Sequence, residues 1–212
     1  MTLPTSGLIT VNDRGARAAT TFGSVAAVGG NMVFIKKLTA SSSGTLSFLN
    51  GSDNVVFDST YKEYVFTFKN IHGGDTVDLT FQADTGTNTN YNTAITSTSF
   101  RAYVHEGDNN DIGFGYRAAD DLAQGTGFQR LLHQLSDDND HGGAGILRIF
   151  NPASTTFVKH FIFKGNHVGP TDFSRQWHFA GYFNTTTALT RVQFKMNSGN
   201  IDSGDICLYG IL

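Results

Sequence analysis

From Asn31 onward the chain alternates between apolar and polar residues. In EYVFTFKNI, Glu63 to Ile71, the residues Tyr64, Phe66 and Phe68 fall on one face and Val65, Thr67 and Lys69 on the other. That period of two predicts a strand with one aromatic face buried. The step recurs in TVDLTFQA (76–83) through Val77, Leu79 and Phe81, and in STSFRAYVHE (97–106) through Phe100, Ala102 and Val104. Before these lie MVFIKKLTA, GTLSFLNG and NVVFDST; after them come FQRLLHQL, GILRIFN, FVKHFIFKG, QWHFAGYFN, LTRVQFKM and DICLYGIL. Ser, Gly and Asn turns separate the runs, giving about eleven or twelve short strands in all. One stretch, YRAADDLAQG, predicts a helical turn over Arg117 to Ala123, ended by Gly125. The pattern predicts an all-β fold: an antiparallel β-sandwich of jelly-roll type over residues 31–212.

The two ends of the chain read differently. Residues 1–30, with the small-residue run GARAATTFGSVAAVGG, predict a short N-terminal arm followed by a joint at the Gly pair. At the other end NSGNIDSG predicts a hairpin link into DICLYGIL. There Ile206, Leu208 and Gly210 share one face, while Cys207, Tyr209 and Ile211 share the other. Apolar residues on both faces predict a strand covered on both sides.

Composition narrows the chemistry. Charged residues make up only 16% and the formal net charge is -3, so no basic track offers itself to a nucleic-acid backbone. No run reaches the length of an apolar membrane span, and MTLPTSGLITVNDRG lacks the basic and apolar regions of a secretion signal. A soluble protein made in a cytoplasm is expected. The single cysteine, Cys207, forms no intrachain disulfide and no cysteine zinc cage; it reads as a small buried hydrophobe.

The densest ionisable group is SDDNDHGG. It holds Asp137, Asp138, Asp140 and His141 within five residues; Asp137, Asp138 and Asp140 are weak candidates for a metal such as calcium, because the spacing is not that of a dedicated calcium loop. The competing reading is a turn between LLHQL and GILRIF, held by Asp and Asn side chains bonding their own backbone. Glu63 and Glu106 are the only glutamates, and a glycosidase needs two carboxylates about 5 to 10 Å apart; each sits at a strand end and reads as a rim residue. His133, His160 and His178 lie singly within strands and read as packed or surface residues. Trp177, Tyr182 and Tyr103 are candidates for a sugar-stacking platform, with core or subunit interface the favoured reading for Trp177. No nucleophile elbow, phosphate loop or zinc helix occurs, and GFGYRAADD lacks the third glycine of a dinucleotide fingerprint. Neither a catalytic residue nor a cofactor is assigned.

Four stretches, YKEYVFTFKNIH, YNTAITSTSFRAYVHE, FNPASTTFVKHFIF and AGYFNTTTALTRVQFKMNSGNIDSGDICLYGIL, together resemble a domain of virion structural proteins of tailed phages of marine cyanobacteria and related hosts. The resemblance covers about residues 31–212, and its most specific part is the closing SGNI, SG and LYGI. The start LPTSGLITVND is similar to short N-terminal segments of phage tail- and fibre-associated proteins. The resemblance implies a non-enzymatic component of the virion, as capsid decoration, head fibre or a tail or neck part. It further implies docking onto major capsid or tail proteins through Leu3, Pro4, Leu8, Ile9 and Val11, with a homotrimer expected. The alternative is a receptor- or glycan-binding module that recognises a host surface glycan through loops such as 84–92 and 137–143.

Overall fold

The computed structural model describes residues 31–107 and 110–212. The predicted arm, with Leu3, Pro4, Leu8, Ile9 and Val11, lies outside the described residues.

Twelve strands make up the fold, and no helix occurs among the described residues. They are β1 (Met32–Thr39), β2 (Leu46–Leu49), β3 (Glu63–Gly73), β4 (Val77–Thr85), β5 (Ile95–His105), β6 (Ile112–Tyr116), β7 (Gln129–Leu135), β8 (Gly143–Phe150), β9 (Lys159–Gly169), β10 (Phe173–Phe183), β11 (Leu189–Met196) and β12 (Ile201–Ile211). All pair antiparallel, in an eight-stranded sheet of order β1-β12-β3-β8-β9-β10-β5-β6 and a four-stranded sheet of order β2-β11-β4-β7.

Setting aside β5, β6, β9 and β10, the strand order is β1-β12-β3-β8 in one sheet and β2-β11-β4-β7 in the other. Early strands pair with late ones, and the chain crosses between sheets as it winds: the doubly wound pattern of a jelly roll. The hairpins β5–β6 and β9–β10 add four strands to one sheet only. The larger sheet is thereby wider than its partner: Phe161 of β9 and Phe183 of β10 still meet Phe81 of β4, Trp177 of β10 meets His133 of β7, and the outermost strand among the described residues is β6.

Between the sheets lies an aromatic core. Phe48 of β2 meets Phe66 of β3 edge-on at 5.2 Å, Phe194 of β11 meets Phe68 at 5.2 Å, and Phe81 of β4 meets Phe161 of β9 at 5.1 Å. Edge-to-face pairs of this kind add about 1 kcal/mol each beyond the area they bury. The predicted faces of β3 and β12 hold: Tyr64, Phe66 and Phe68 point into the core, as do Ile206 and Leu208. Strand β12 runs between β1 and β3, and the outward Tyr209 packs edge-on against Phe34 of β1 at 5.6 Å.

Besides the unpredicted strand β6, local structure departs from expectation in four places. NVVFDST is not a strand: Val55 and Phe57 are buried in a loop, where Val55 accepts from Gly51 N–H and Phe57 N–H donates to Asn50 Oδ1. Arg117 to Ala123 is not a helical turn but an irregular segment after β6, pinned by the buried Asp120. Phe100 and Val104 face outward rather than into the core, because β5 turns its odd-numbered residues inward: Ile95, Ser97 and Ser99 are buried, and Ser97 Oγ donates to Gln129 of β7. Cys207 is half-buried on the outer face rather than fully buried.

Candidate functional site

Strand β4 is buried on both faces, which decides what the neighbouring loops are for. Val77, Leu79, Phe81 and Ala83 enter the core, while Asp78, Thr80, Gln82 and Asp84 lie buried on the opposite side. Buried polar groups require partners, and the loops supply them. The Gln82 amide donates to the carbonyls of Thr93, at 3.0 Å, and Gly127, at 2.9 Å. Asp84 accepts from the backbone N–H groups of Thr85 and Tyr91 and from Asn88 Nδ2. The 84–92 loop is thus tied down through a buried carboxylate.

A second network joins β4, β7 and the segment after β6. Arg130 bridges Asp78 (Nε to Oδ2, 2.9 Å) and Asp120 (Nη1 to Oδ1, 2.7 Å), and His133 Nδ1 lies 2.9 Å from Asp120 Oδ1. Asp78 also accepts from the backbone N–H of Gln134 at 2.8 Å. Burial pushes the Asp120 carboxyl pKa up, but His133 and Arg130 outweigh it and hold the group below its ordinary value. Every oxygen here is engaged with the fold, so the His133–Asp120 contact is a structural tie. It confirms His133 as a packed residue.

The acidic loop resolves into a turn and a three-residue cluster. His141 N–H donates to the Asp138 carbonyl at 2.9 Å, as the turn reading requires. Asp137 points away and accepts from Thr76 Oγ1 at 3.3 Å, and Asp140 is almost fully exposed. Asp172, from the turn between β9 and β10, joins Asp138 and His141 instead: one ligand atom from each lies within 4.8 Å of the others. The cluster borders a cleft of about 740 Å³ lined by Asn70, His72, Asp140 and Asn166 among others. Spacing along the chain gave no signal for Asp172.

Neither proposed ligand geometry forms elsewhere. Glu63 starts β3 and pairs with Arg148 at 2.9 Å, while Glu106 follows β5, four strands away in the same sheet. At about 4.8 Å per strand that is roughly 19 Å sideways alone, and register places Glu63 level with the start of β5 rather than its end. The two carboxylates form no pair. Trp177 is buried on the inner face, stacked on Phe179 at 5.5 Å, whereas Tyr182 lies on the outer face beside His160. Trp177, Tyr182 and Tyr103 therefore build no common platform.

One exposed face is apolar. On the outer face of β5 and β6 stand Phe100, Val104, Ile112, Phe114 and Tyr116, with Ile112 65% and Phe114 75% exposed. Phe100 and Phe114 touch edge-on at 5.5 Å, and His178 of β10 packs on Phe100 at 4.7 Å. Strand β6, IGFGY, carries no charge and no proline and ends the sheet. Uncharged edge strands with apolar outer faces are normally covered or paired.

No family model, curated protein or solved structure matches the chain. The jelly-roll winding is established by strand order alone.

Proposed function

We propose that the chain is a non-enzymatic structural component of a tailed-phage virion. Residues 31–212 form the exposed jelly roll, and Leu3, Pro4, Leu8, Ile9 and Val11 dock it onto the major capsid or tail protein. One observation carries the reading: the larger sheet is extended to β5 and β6, whose outer face is apolar, and β6 has no partner on its far edge among the described residues. A protein that works alone in solution gains nothing from such a face, whereas an assembling subunit buries it. The homotrimer we propose joins its copies there. The tied-down loops support the same reading, since a particle component must hold its shape outside the cell.

Deleting residues 1–30 tests the docking role. The truncated protein is expected to keep the thermal transition of the full chain yet no longer co-sediment with particles. Undiminished co-sedimentation of a folded truncation refutes the docking role of the arm.

A further inference from the structure

The inner face of β10, β5 and β6 gathers three cations, of which only Arg117 has an ion pair among the described residues. Antiparallel register places Arg101 of β5 opposite Trp177 of β10 and Gly115 of β6; one row along, Tyr103 lies opposite Arg175 and Gly113. Directly opposed residues share a face, so Arg101, Tyr103 and Arg175 point to the same side as the buried Trp177. Arg117 follows β6 on that side, where its N–H donates to the Ser99 carbonyl.

Three guanidinium groups thus share a small area of a chain whose net charge is -3. Arg175 Nη1 donates to Gln134 Oε1 at 3.0 Å, a neutral acceptor. Arg117 reaches Asp120 at 3.4 Å, but that carboxylate is already shared by Arg130 and His133. Arg101 makes no ion pair among the described residues. Its guanidinium lies 4.5 Å from the Tyr103 ring centre and 5.5 Å from that of Trp177, and its Nε is buried without an acceptor. Burial and the neighbouring arginines hold the pKa values of Arg101 and Arg175 below their ordinary range.

Such an arrangement works against the fold. Like charges at this range repel, and a guanidinium clasped by rings loses hydration without gaining a carboxylate. A bound anion removes both costs. Space exists for one: a Cβ built on Gly115, directly across from Arg101, meets nothing within 4 Å. The surroundings suit a sugar acid. Tyr103 and Phe173 are half-buried and meet edge-on at 5.7 Å beside the cations, with Arg175 over the Phe173 ring at 5.5 Å. Guanidinium forks match carboxylate and sulfate oxygens, and aromatic carbons match the C–H face of a pyranose. Three arginines on one patch do not make the basic track that a nucleic-acid backbone needs.

We propose that the inner face of β10, β5 and β6 binds an acidic polysaccharide, with Arg101 and Arg175 taking its acid group and Gly115 leaving room for it. The site is separate from the apolar outer face and does not depend on how the chain is assembled.

Calorimetric titration of the full chain at low salt with an oligogalacturonate, a maltooligosaccharide and inorganic sulfate tests this. The uronate oligomer is expected to bind saturably, the neutral sugar not at all, and sulfate more weakly than the oligomer. Arg101→Gln and Gly115→Glu should each weaken oligomer binding by at least about tenfold, the loss of one charge-assisted contact, with the melting transition retained for Gly115→Glu. Arg148→Gln, on the strand pair β3–β8, should bind as the parent does. Unchanged affinity in Gly115→Glu overturns the assignment. So does equal binding of the neutral sugar, sulfate binding as tight as the oligomer's, or no uptake of the oligomer at millimolar concentration.

Discussion

A chain lacking residues 209–212 is expected not to fold. Strand β12 is an inner strand, and its last residues pair on both sides: Tyr209 with Phe34 and Val65, Gly210 with Val33 and Tyr64, Ile211 with Met32 and Glu63. Removing them breaks two ladders at once, cuts β1 loose along that stretch and opens the sheet beside the core residue Tyr64. Each ladder hydrogen bond contributes about 1 kcal/mol net, and the ring contact of Tyr209 with Phe34 is lost as well. Together these losses approach the roughly 5–15 kcal/mol by which a domain is stable. Gly210 makes the case at a single residue. The Tyr61 ring rests on it so closely that a Cβ would lie 2.3 Å from a ring carbon. Gly210→Val is therefore expected to destabilise the domain by about 3 kcal/mol through overpacking. Urea unfolding followed by Trp177 fluorescence checks both. A cooperative transition in the protein lacking 209–212 would contradict this account of the closing strand.

The second large effect is a loss of stability in mild acid, centred on His167. Its side chain faces inward from β9, 1% exposed, with Nε2 3.1 Å from the Gln134 carbonyl and Nδ1 buried without a partner. The contact to a carbonyl fixes the neutral ring with its proton on Nε2. Burial, reinforced by the positive charge of Arg175, lowers the pKa from 6.5 to about 3. Because the folded value lies below the unfolded one, the unfolded chain binds the extra proton first. Stability is complete above pH 6.5 and declines as pH falls toward the folded value, by about 1.4 kcal/mol per unit. Between pH 7 and 4.5 this amounts to about 2–3 kcal/mol from His167 alone. His167→Gln keeps a donor for the Gln134 carbonyl but does not ionise. Its unfolding free energy should therefore fall less over that interval, by about 2 kcal/mol. Carboxylates held low, such as Asp120, titrate in both proteins and cancel in the comparison. Parallel pH profiles for the two would exclude His167 as the acid-sensitive group.

Periodicity carried most of the fold. Alternation identified eleven of the strands, because a strand between a core and solvent must alternate, and it placed both faces of β12 correctly. One cause of error is that which face of a strand is covered is set by topology, which periodicity does not encode. Phe100, Ala102 and Val104 alternate as a buried face would, yet they point outward because the polar-looking opposite face, Ile95, Ser97 and Ser99, is the one buried against β7 and the segment after β6. Strand β6 went unrecognised because Gly113 and Gly115 are poor strand formers. Gly113 has a packing reason to be glycine, since a Cβ there would press into the Tyr103 ring. The segment from Arg117 to Ala123 has helix-forming composition, but Arg130 and His133 hold Asp120 and spread it across β4. NVVFDST has strand composition, but its backbone bonds are spent in the turn around Gly51.

Sites were less legible than strands. The acidic turn was readable because its hydrogen bonds are local. Asp172 joins it only through the β9–β10 turn, and the arginine face needs three strands in register before it exists. Both depend on long-range pairing, which no local motif announces.

Light scattering on the full chain, beside Phe114→Glu, tests the central claim most directly. If the outer face of β5 and β6 is an assembly surface, the parent has the mass of a trimer and the variant, with a charge set in the middle of that face, the mass of a monomer. A monomeric parent, or a variant that associates as the parent does, would contradict it.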